Sequence, residues 1–342
     1  MIRKSSLLLL FILPLLGFGQ QESYYSLYRY NMNVINPAFA GADASNMLSF
    51  TSRSQWASVQ DAPRTLAFAY SSARENNVGL GLSLVSDKVF VEQQTFAYID
   101  FSYKLQMSGD ATLFLGLKAG GNFYSSDPTN LSTYSSVGDP SQVSLSKFNP
   151  NIGAGAYYKA ASYWVSFSIP RLFNVNREAD NLAVTAKDRV HTYLGGGVDL
   201  AVSNGIYVKP SLMVRKVKGL PVTADITGMV SWQNQFDVGL SIRTNSSMAL
   251  MTVVSLGLFD IGYAYETPTD NGLSQLNLRT HELVFRINLG ESDQSSKSGP
   301  ESAEWYTSLF TYKLNYYIYF YGNISNYFTD NNSSFNFNRL GV

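Results

Sequence analysis

The chain has no cysteine, only two histidines and few charged residues. Without cysteine it has no disulfide framework, no thiolate metal site and no lipidated cysteine after a leader. Charged residues make up 15% of the sequence, well below the share that is typical of soluble globular proteins. The 25 basic residues are balanced by 25 acidic ones, so no overall field attracts nucleic acid. The lack of cysteine and of net charge therefore argues against a disulfide-linked domain and against a nucleic-acid partner.

Long apolar runs are absent after the first twenty residues. Arg3 and Lys4 precede a short apolar stretch, and small residues follow at Gly17 and Gly19. This arrangement predicts a secretory signal peptide over residues 1–19, because a membrane-spanning helix needs about twenty apolar residues. We therefore expect an exported mature chain that is held together by its backbone ladder and its packing.

Apolar and polar residues alternate with a period of two from residue 46 to residue 289. Leu115 and Leu117, for example, share one face, while Gly116 and Lys118 share the other. The pattern predicts about fourteen antiparallel strands, beginning near residues 46, 63, 78, 93, 111, 148, 162, 189, 205, 220, 235, 247, 258 and 280. A soluble sandwich would alternate in the same way. The even strand number and the scarcity of charge favour an all-β fold, a transmembrane β-barrel of the outer membrane.

The lengths of the connections support this prediction. Every long connection, such as 125–147, 172–188 and 267–279, follows an odd-numbered strand, and those after even-numbered strands are short. Outer-membrane barrels have short periplasmic turns and longer external loops. We therefore expect both ends of the barrel to lie in the periplasm.

The chain divides into four parts by composition. After the signal peptide, residues 20–45 have no strand alternation, and they either line or plug the lumen or lead in from the periplasm. Residues 46–290 form the predicted barrel, and residues 291–342 are a polar linker followed by a tail rich in Tyr and Asn whose role the sequence does not indicate.

One set of charged residues shares the strand face that carries the small residues. Because a charge facing lipid near the midplane is costly, we expect these side chains to point into the lumen. They form either a satisfied internal ion-pair network or the lining of a selective channel. They are Lys118, Asp199, Lys209, Arg215, Asp225, Asp237, Arg243, Glu282 and Arg286.

No catalytic, metal or cofactor site is predicted. His191 and His281 are far apart in the sequence and have no thiol near them, so they do not form a recognisable zinc site. His281 is the best candidate for a barrel lipase. Its neighbour Glu282 points to the opposite face of the same strand, however, and cannot orient it without a β-bulge.

Several short stretches resemble the PorP/SprF family of type IX secretion system membrane proteins, in the family's order. They lie at residues 35–41, 53–56, 62–65, 79–83, 86–88, 150–153 and 168–172, within a similarity that runs from about residue 24 to residue 289. The residues that carry the resemblance most clearly are Asn36, Pro37, Gly41, Arg53, Gln55, Trp56, Pro63, Asp87 and Lys88. The tail after residue 290 departs from the family pattern, which ends with the last strand.

The resemblance implies a non-enzymatic barrel in the outer membrane that helps to export a large adhesin-like protein and hold it on the cell surface, as in gliding motility. The implied partners are the C-terminal domain of that secreted protein, other components of the secretion system and outer-membrane lipid. The alternative function is a solute-conducting outer-membrane channel.

Overall fold

The computed structural model describes residues 24–43, 46–74, 76–129, 144–173, 175–176, 187–244, 246–269 and 278–290. Most of these residues lie in β-strands. In this part of the chain no helix has the length and the apolar character needed to cross a membrane. The predicted signal peptide over residues 1–19 and the tail over residues 291–342 lie outside the described residues.

Fourteen strands form the main sheet. They are β1 (Met47–Ser54), β2 (Arg64–Ala73), β3 (Val78–Val89), β4 (Glu92–Gln106), β5 (Thr112–Ser126), β6 (Leu145–Lys159), β7 (Tyr163–Ile169), β8 (His191–Val198 and Leu200–Ser203), β9 (Ile206–Val217), β10 (Thr223–Trp232), β11 (Phe236–Arg243), β12 (Ser247–Leu256), β13 (Phe259–Pro268) and β14 (Thr280–Asn288). A break at Asp199 divides β8, and both of its parts pair with β9.

The sheet closes on itself. Each strand pairs in the antiparallel sense with its neighbours in sequence, β8 with β7 and β9, and β1 with β14. Closure leaves no unpaired edge strand in the ring. The prediction of an all-β barrel with about fourteen antiparallel strands is thus confirmed.

The strand starts agree closely with the sequence periodicity. The largest differences are at β6 and β10, which begin at Leu145 and Thr223 where the periodicity predicts 148 and 220. Pairing explains the first difference, because Leu145 lies opposite Ser126 at the end of the long β5. The ladder with β5 thus continues through a polar stretch that has no apolar alternation.

Side chains alternate across the barrel wall. On β5, Phe114 and Lys118 are buried inside, while Leu115 and Leu117 face outward with 47% and 63% of their surface exposed. Other strands repeat this arrangement, with Ile99 and Ile226 among the outward side chains. An apolar outer surface of this kind matches the hydrocarbon of a membrane.

The two rims of the barrel differ. We call the rim where odd-numbered strands end the long-loop rim, since it carries the connections 55–63, 127–144, 170–190 and 269–279. The other is the short-turn rim, with turns such as 204–205 and 257–258. The long-loop rim is uneven, because β3 and β4 are joined by the tight turn 90–91. Within 170–190, Val175–Asn176 pairs with Lys187–Asp188 as a small ribbon.

Candidate functional site

Residues 24–43 lie inside the barrel, and we call them the lumenal plug. They form a short 3-10 helix at Tyr28–Tyr30, one α-helical turn (α1, Met32–Ile35) and a second 3-10 helix at Pro37–Phe39. Fifteen of the twenty plug residues are buried and none is exposed. Hydrogen bonds join the plug to Thr51 on β1, Ser71 on β2, Ser102 on β4, Ser166 on β7, Ser211 on β9 and Glu282 on β14.

Asn36 fastens the middle of the plug to the wall. Its side-chain Nδ2 donates to the Ala156 carbonyl at 3.0 Å, to Ser166 Oγ at 2.9 Å and to the Phe167 carbonyl at 3.3 Å. Its Oδ1 accepts the Ala38 N–H at 2.9 Å and so caps the second 3-10 helix. A fully buried amide with donor and acceptor both used fixes the position of this segment.

Glycines in the wall make room for the plug backbone. A β-carbon on Gly79 would lie 2.1 Å from the Ala40 carbonyl oxygen, and one on Gly116 would lie 2.2 Å from the Ala38 nitrogen. Both distances are far below van der Waals contact, so only glycine allows so close an approach. Within the plug, position 41 also requires glycine, because its φ of 72° is accessible to glycine without strain.

A chain of alternating charges lines the lumen in the half nearer the long-loop rim. Its links are Arg53 to Glu282 at 3.1 Å, Arg53 to Glu266 at 3.0 Å, Glu266 to Arg243 at 3.1 Å, Arg243 to Asp225 at 2.6 Å and Asp225 to Arg215 at 3.7 Å. We call these six residues the charge ladder. Three cations and three anions balance each other, which offsets the cost of removing the charges from water.

The charge ladder also holds the beginning of the plug. The two oxygens of the Glu282 carboxylate accept the backbone N–H groups of Ser26 and Leu27 at 2.8 and 3.0 Å. The guanidinium carbon of Arg215 lies 3.5 Å from the centroid of the Tyr24 ring, a cation–π contact. The plug and the ladder therefore form one buried polar unit.

Near the short-turn rim, separate ion pairs hold the rest of the plug. Arg29 Nη2 lies 2.8 Å from Asp199, and Asp43 contacts both Arg286 at 3.1 Å and Lys159 at 3.5 Å. Lys209 pairs with Asp237 at 3.0 Å, and the Tyr30 hydroxyl donates to the same carboxylate. Burial, together with the Asp237 charge, raises the pKa of Tyr30 well above its ordinary value.

Each charged residue that the sequence places in the lumen makes an ion pair, either with another strand or, for Asp199 and Arg286, with the plug. Lys118 pairs with Asp100 at 3.3 Å and donates to the Val34 carbonyl, and the others lie in the contacts above. The sequence reasoning missed Glu266 and Asp100. Glu266 could have been assigned to the inner face, because it lies two residues after the small, buried Ala264 on the same strand. Asp100 is harder to assign, because the residue two positions before it is the aromatic Tyr98, which is also buried.

The motif residues fall into two groups. Asn36, Pro37 and Gly41 belong to the plug, and Arg53 to the charge ladder. The others lie at the long-loop rim: Gln55, Trp56 and Pro63 in the connection 55–63, and Asp87 and Lys88 at the end of β3. Asp87 lines a cavity of about 60 Å³ above the plug together with Tyr25, Tyr98 and Arg171.

The two histidines lie on opposite faces of the barrel wall, with His191 buried on the inner face of β8. His281 is partly exposed on the outer face and contacts the Tyr263 hydroxyl through Nδ1 at 2.7 Å. Its neighbour Glu282 is buried on the inner face, in the charge ladder. Among the described residues, no group of three or more His, Asp or Glu side chains could hold a metal ion.

The fold and its interior define the class of protein: an outer-membrane β-barrel whose lumen contains the segment 24–43. The chain belongs to the family described as type IX secretion system membrane protein PorP/SprF, whose profile matches residues 17–287. The family predicted from the sequence is therefore confirmed. No curated protein matches the chain.

The comparison with solved structures returns outer-membrane proteins and channels. The CymD monoaromatic hydrocarbon channel is 12% identical, with a TM-score of 0.46 over 77% of this chain and 93% of that one. The toluene transporter TbuX of Ralstonia pickettii is 8% identical, with a TM-score of 0.43 over 74% and 92%. Omp33 of Acinetobacter baumannii is 7% identical, with a TM-score of 0.41 over 71% and 98%.

Proposed function

We propose that this barrel assists the export and surface attachment of a large adhesin-like protein, as in gliding motility, and that it is not an enzyme. Membership of the type IX secretion family supports a role in secretion at the outer membrane. In this proposal the C-terminal domain of the secreted protein is the part that the barrel recognises. Other secretion components act with it.

The filled lumen is the observation that carries this proposal. Plug residues contact the wall from Ser26, near the long-loop rim, to Asp43, near the short-turn rim. A protein partner therefore meets the barrel at a rim rather than in an open pore. The long-loop rim carries the longer connections, 55–63, 127–144 and 170–190, and binding residues are often found in loops.

We infer that the long-loop rim faces the outside of the cell and that both ends of the barrel lie in the periplasm. The contrast between long and short connections supports this orientation, since outer-membrane barrels carry their longer loops outside. A rim with this orientation would meet a secreted adhesin after its passage through the membrane.

The solute channel is less well supported by the interior. Conduction needs a continuous water-filled path, whereas the plug packs against glycines on β3 and β5 and bonds to strands on several sides of the ring. In planar bilayers we therefore expect the native protein to show little conductance.

Deletion of the gene tests the proposed function. We expect surface display of one large secreted protein to be lost and to return when the native barrel is supplied again. A variant with the connection 127–144 shortened to a tight turn should fold but fail to co-purify that protein. Its matched control shortens the turn 107–111 on the opposite rim and should co-purify it normally. Unchanged display after deletion would contradict the role.

A further inference from the structure

Two cations, Arg64 and Lys88, face outward at the long-loop rim and have no partner among the residues that the structure describes. Arg64 begins β2, Lys88 lies near the end of β3, and the two residues are directly opposite in the ladder. Both are exposed. Within the described ranges, neither side chain makes an ion pair or a hydrogen bond. Their stretches, 62–65 and 86–88, are motifs that the plug and the charge ladder do not explain.

The positive charges of Arg64 and Lys88 repel each other when no anion lies between them. Directly opposite β-carbons are about 5 Å apart, and like charges in such positions destabilise a sheet. The adjacent carboxylate of Asp87 does not relieve the repulsion, because Asp87 lies on the inner face and lines the lumenal cavity. An anion that binds both side chains would remove the repulsion and form two charge-assisted hydrogen bonds.

The position of the pair indicates the source of that anion. On the same outer face Leu66, 50% exposed, lies one step toward the membrane from Arg64, between Ser52 and Ser86. Leu84 and Phe50, 39% and 44% exposed, lie one step further on. Arg64 and Lys88 therefore stand where the apolar surface ends and the rim begins. In a bilayer this is the height of the lipid headgroups.

The neighbouring strands extend the row. Ser54 on β1 lies opposite Arg64 on one side and opposite His281 on β14 on the other. Neighbouring strands are about 4.8 Å apart, so the Ser54 hydroxyl is within reach of an anion that is held by Arg64. Arg279 adds a further cation beyond His281, where it donates to the Tyr265 hydroxyl.

We propose that Arg64, Lys88 and Ser54 form a binding site for the phosphate group of a membrane lipid at the long-loop rim. The lipid tails lie along Leu66, Leu84 and Phe50, and the phosphate bridges the two cations. The inference depends on the outer-membrane barrel and not on the identity of the secreted partner, so it can fail while the proposed function stands.

Binding of a phosphate lipid to the purified full chain tests this site. The probe is phosphatidic acid in detergent micelles, compared with diacylglycerol of the same chains, and bound lipid is counted by native mass spectrometry. The test variant carries Arg64→Gln and Lys88→Gln. The matched control carries Lys216→Gln and Lys218→Gln, which removes two cations from the same rim, where Lys216 already donates to the Leu220 carbonyl.

We expect the native chain and the control to bind phosphatidic acid in preference to diacylglycerol, and the test variant to bind it at least about tenfold more weakly. The charge-preserving exchange of Arg64→Lys and Lys88→Arg should retain binding. Equal loss in test and control variants would show attraction by net charge and overturn the site, as would no loss in either. Complete competition by millimolar inorganic phosphate would overturn the assignment to a lipid.

Discussion

The side chain of Asn36 fills the gap that Gly155 leaves in the barrel wall. A β-carbon on Gly155 would lie 2.0 Å from Asn36 Oδ1, and the Asn36 amide donates to the carbonyl of the next residue, Ala156. A missing side chain on β6 and a buried amide of the plug are therefore complementary. The plug therefore packs against the wall as closely as residues pack in the core of a single folded domain.

A methyl group at Gly116 should loosen the plug. The Gly116→Ala side chain would lie 2.2 Å from the Ala38 backbone nitrogen, so the plug has to move, at a cost of about 1–3 kcal/mol. We expect conductance in planar bilayers to appear or rise and protease to cleave residues 24–43 faster.

The matched control for this change is Gly228→Ala. Nothing lies within 4 Å of a β-carbon there, and the residue is on the outer face of β10, so conductance and cleavage should stay native. Equal behaviour of the two variants would contradict the close packing of plug against wall.

Loss of the Asn36 side-chain donor should destabilise the plug even when the new side chain has the same size. Asn36→Asp keeps the oxygen that caps Ala38 but sets a carboxylate oxygen against the carbonyls of Ala156 and Phe167. Faster amide hydrogen exchange is expected over residues 31–40. Asn204→Asp, in an exposed turn on the short-turn rim, is the control and should leave exchange in the plug unchanged.

Removal of Arg53 should weaken the whole barrel. The Arg53→Met variant leaves Glu282 and Glu266 without their shared cation, and loss of one partner from a buried ion pair costs about 3–5 kcal/mol. Urea unfolding in detergent, followed by tryptophan fluorescence, measures this loss. Lys216→Met, an exposed cation on β9, should change the free energy of unfolding by less than about 0.5 kcal/mol.

The absence of cysteine makes the orientation easy to measure. Ser58→Cys lies exposed on the long-loop rim and Ser108→Cys exposed on the short-turn rim. A maleimide that cannot cross the outer membrane should label the first variant on intact cells and the second only after lysis. The reverse result would place the long connections in the periplasm and contradict the proposed orientation.

Strand periodicity was sufficient to predict the wall. Leu115, Leu117 and Lys118 lie on the expected faces, because the two-residue period of a strand allows only two orientations. The same parity brings Arg243 and Glu282 onto the inner wall, where both enter the charge ladder.

The filled lumen could not be derived in the same way. Residues 24–43 have no regular period, and their conformation depends on long-range contacts such as Asn36 with Ser166 and Ser26 with Glu282. Sequence spacing holds no information about such pairs. The glycines at 79, 116 and 155 were visible in the sequence, but each becomes informative only when the neighbour that approaches it is known.

The pairing of β1 with β14, which closes the barrel, bears on how the barrel assembles. The segment that precedes β1 touches strands on every side of the cylinder, and the wall closes only when the first strand meets the last. After closure, the segment could reach these contacts only by passing through a rim. We therefore expect residues 24–43 to take their place before or while β1 and β14 pair, so that the sheet assembles around them.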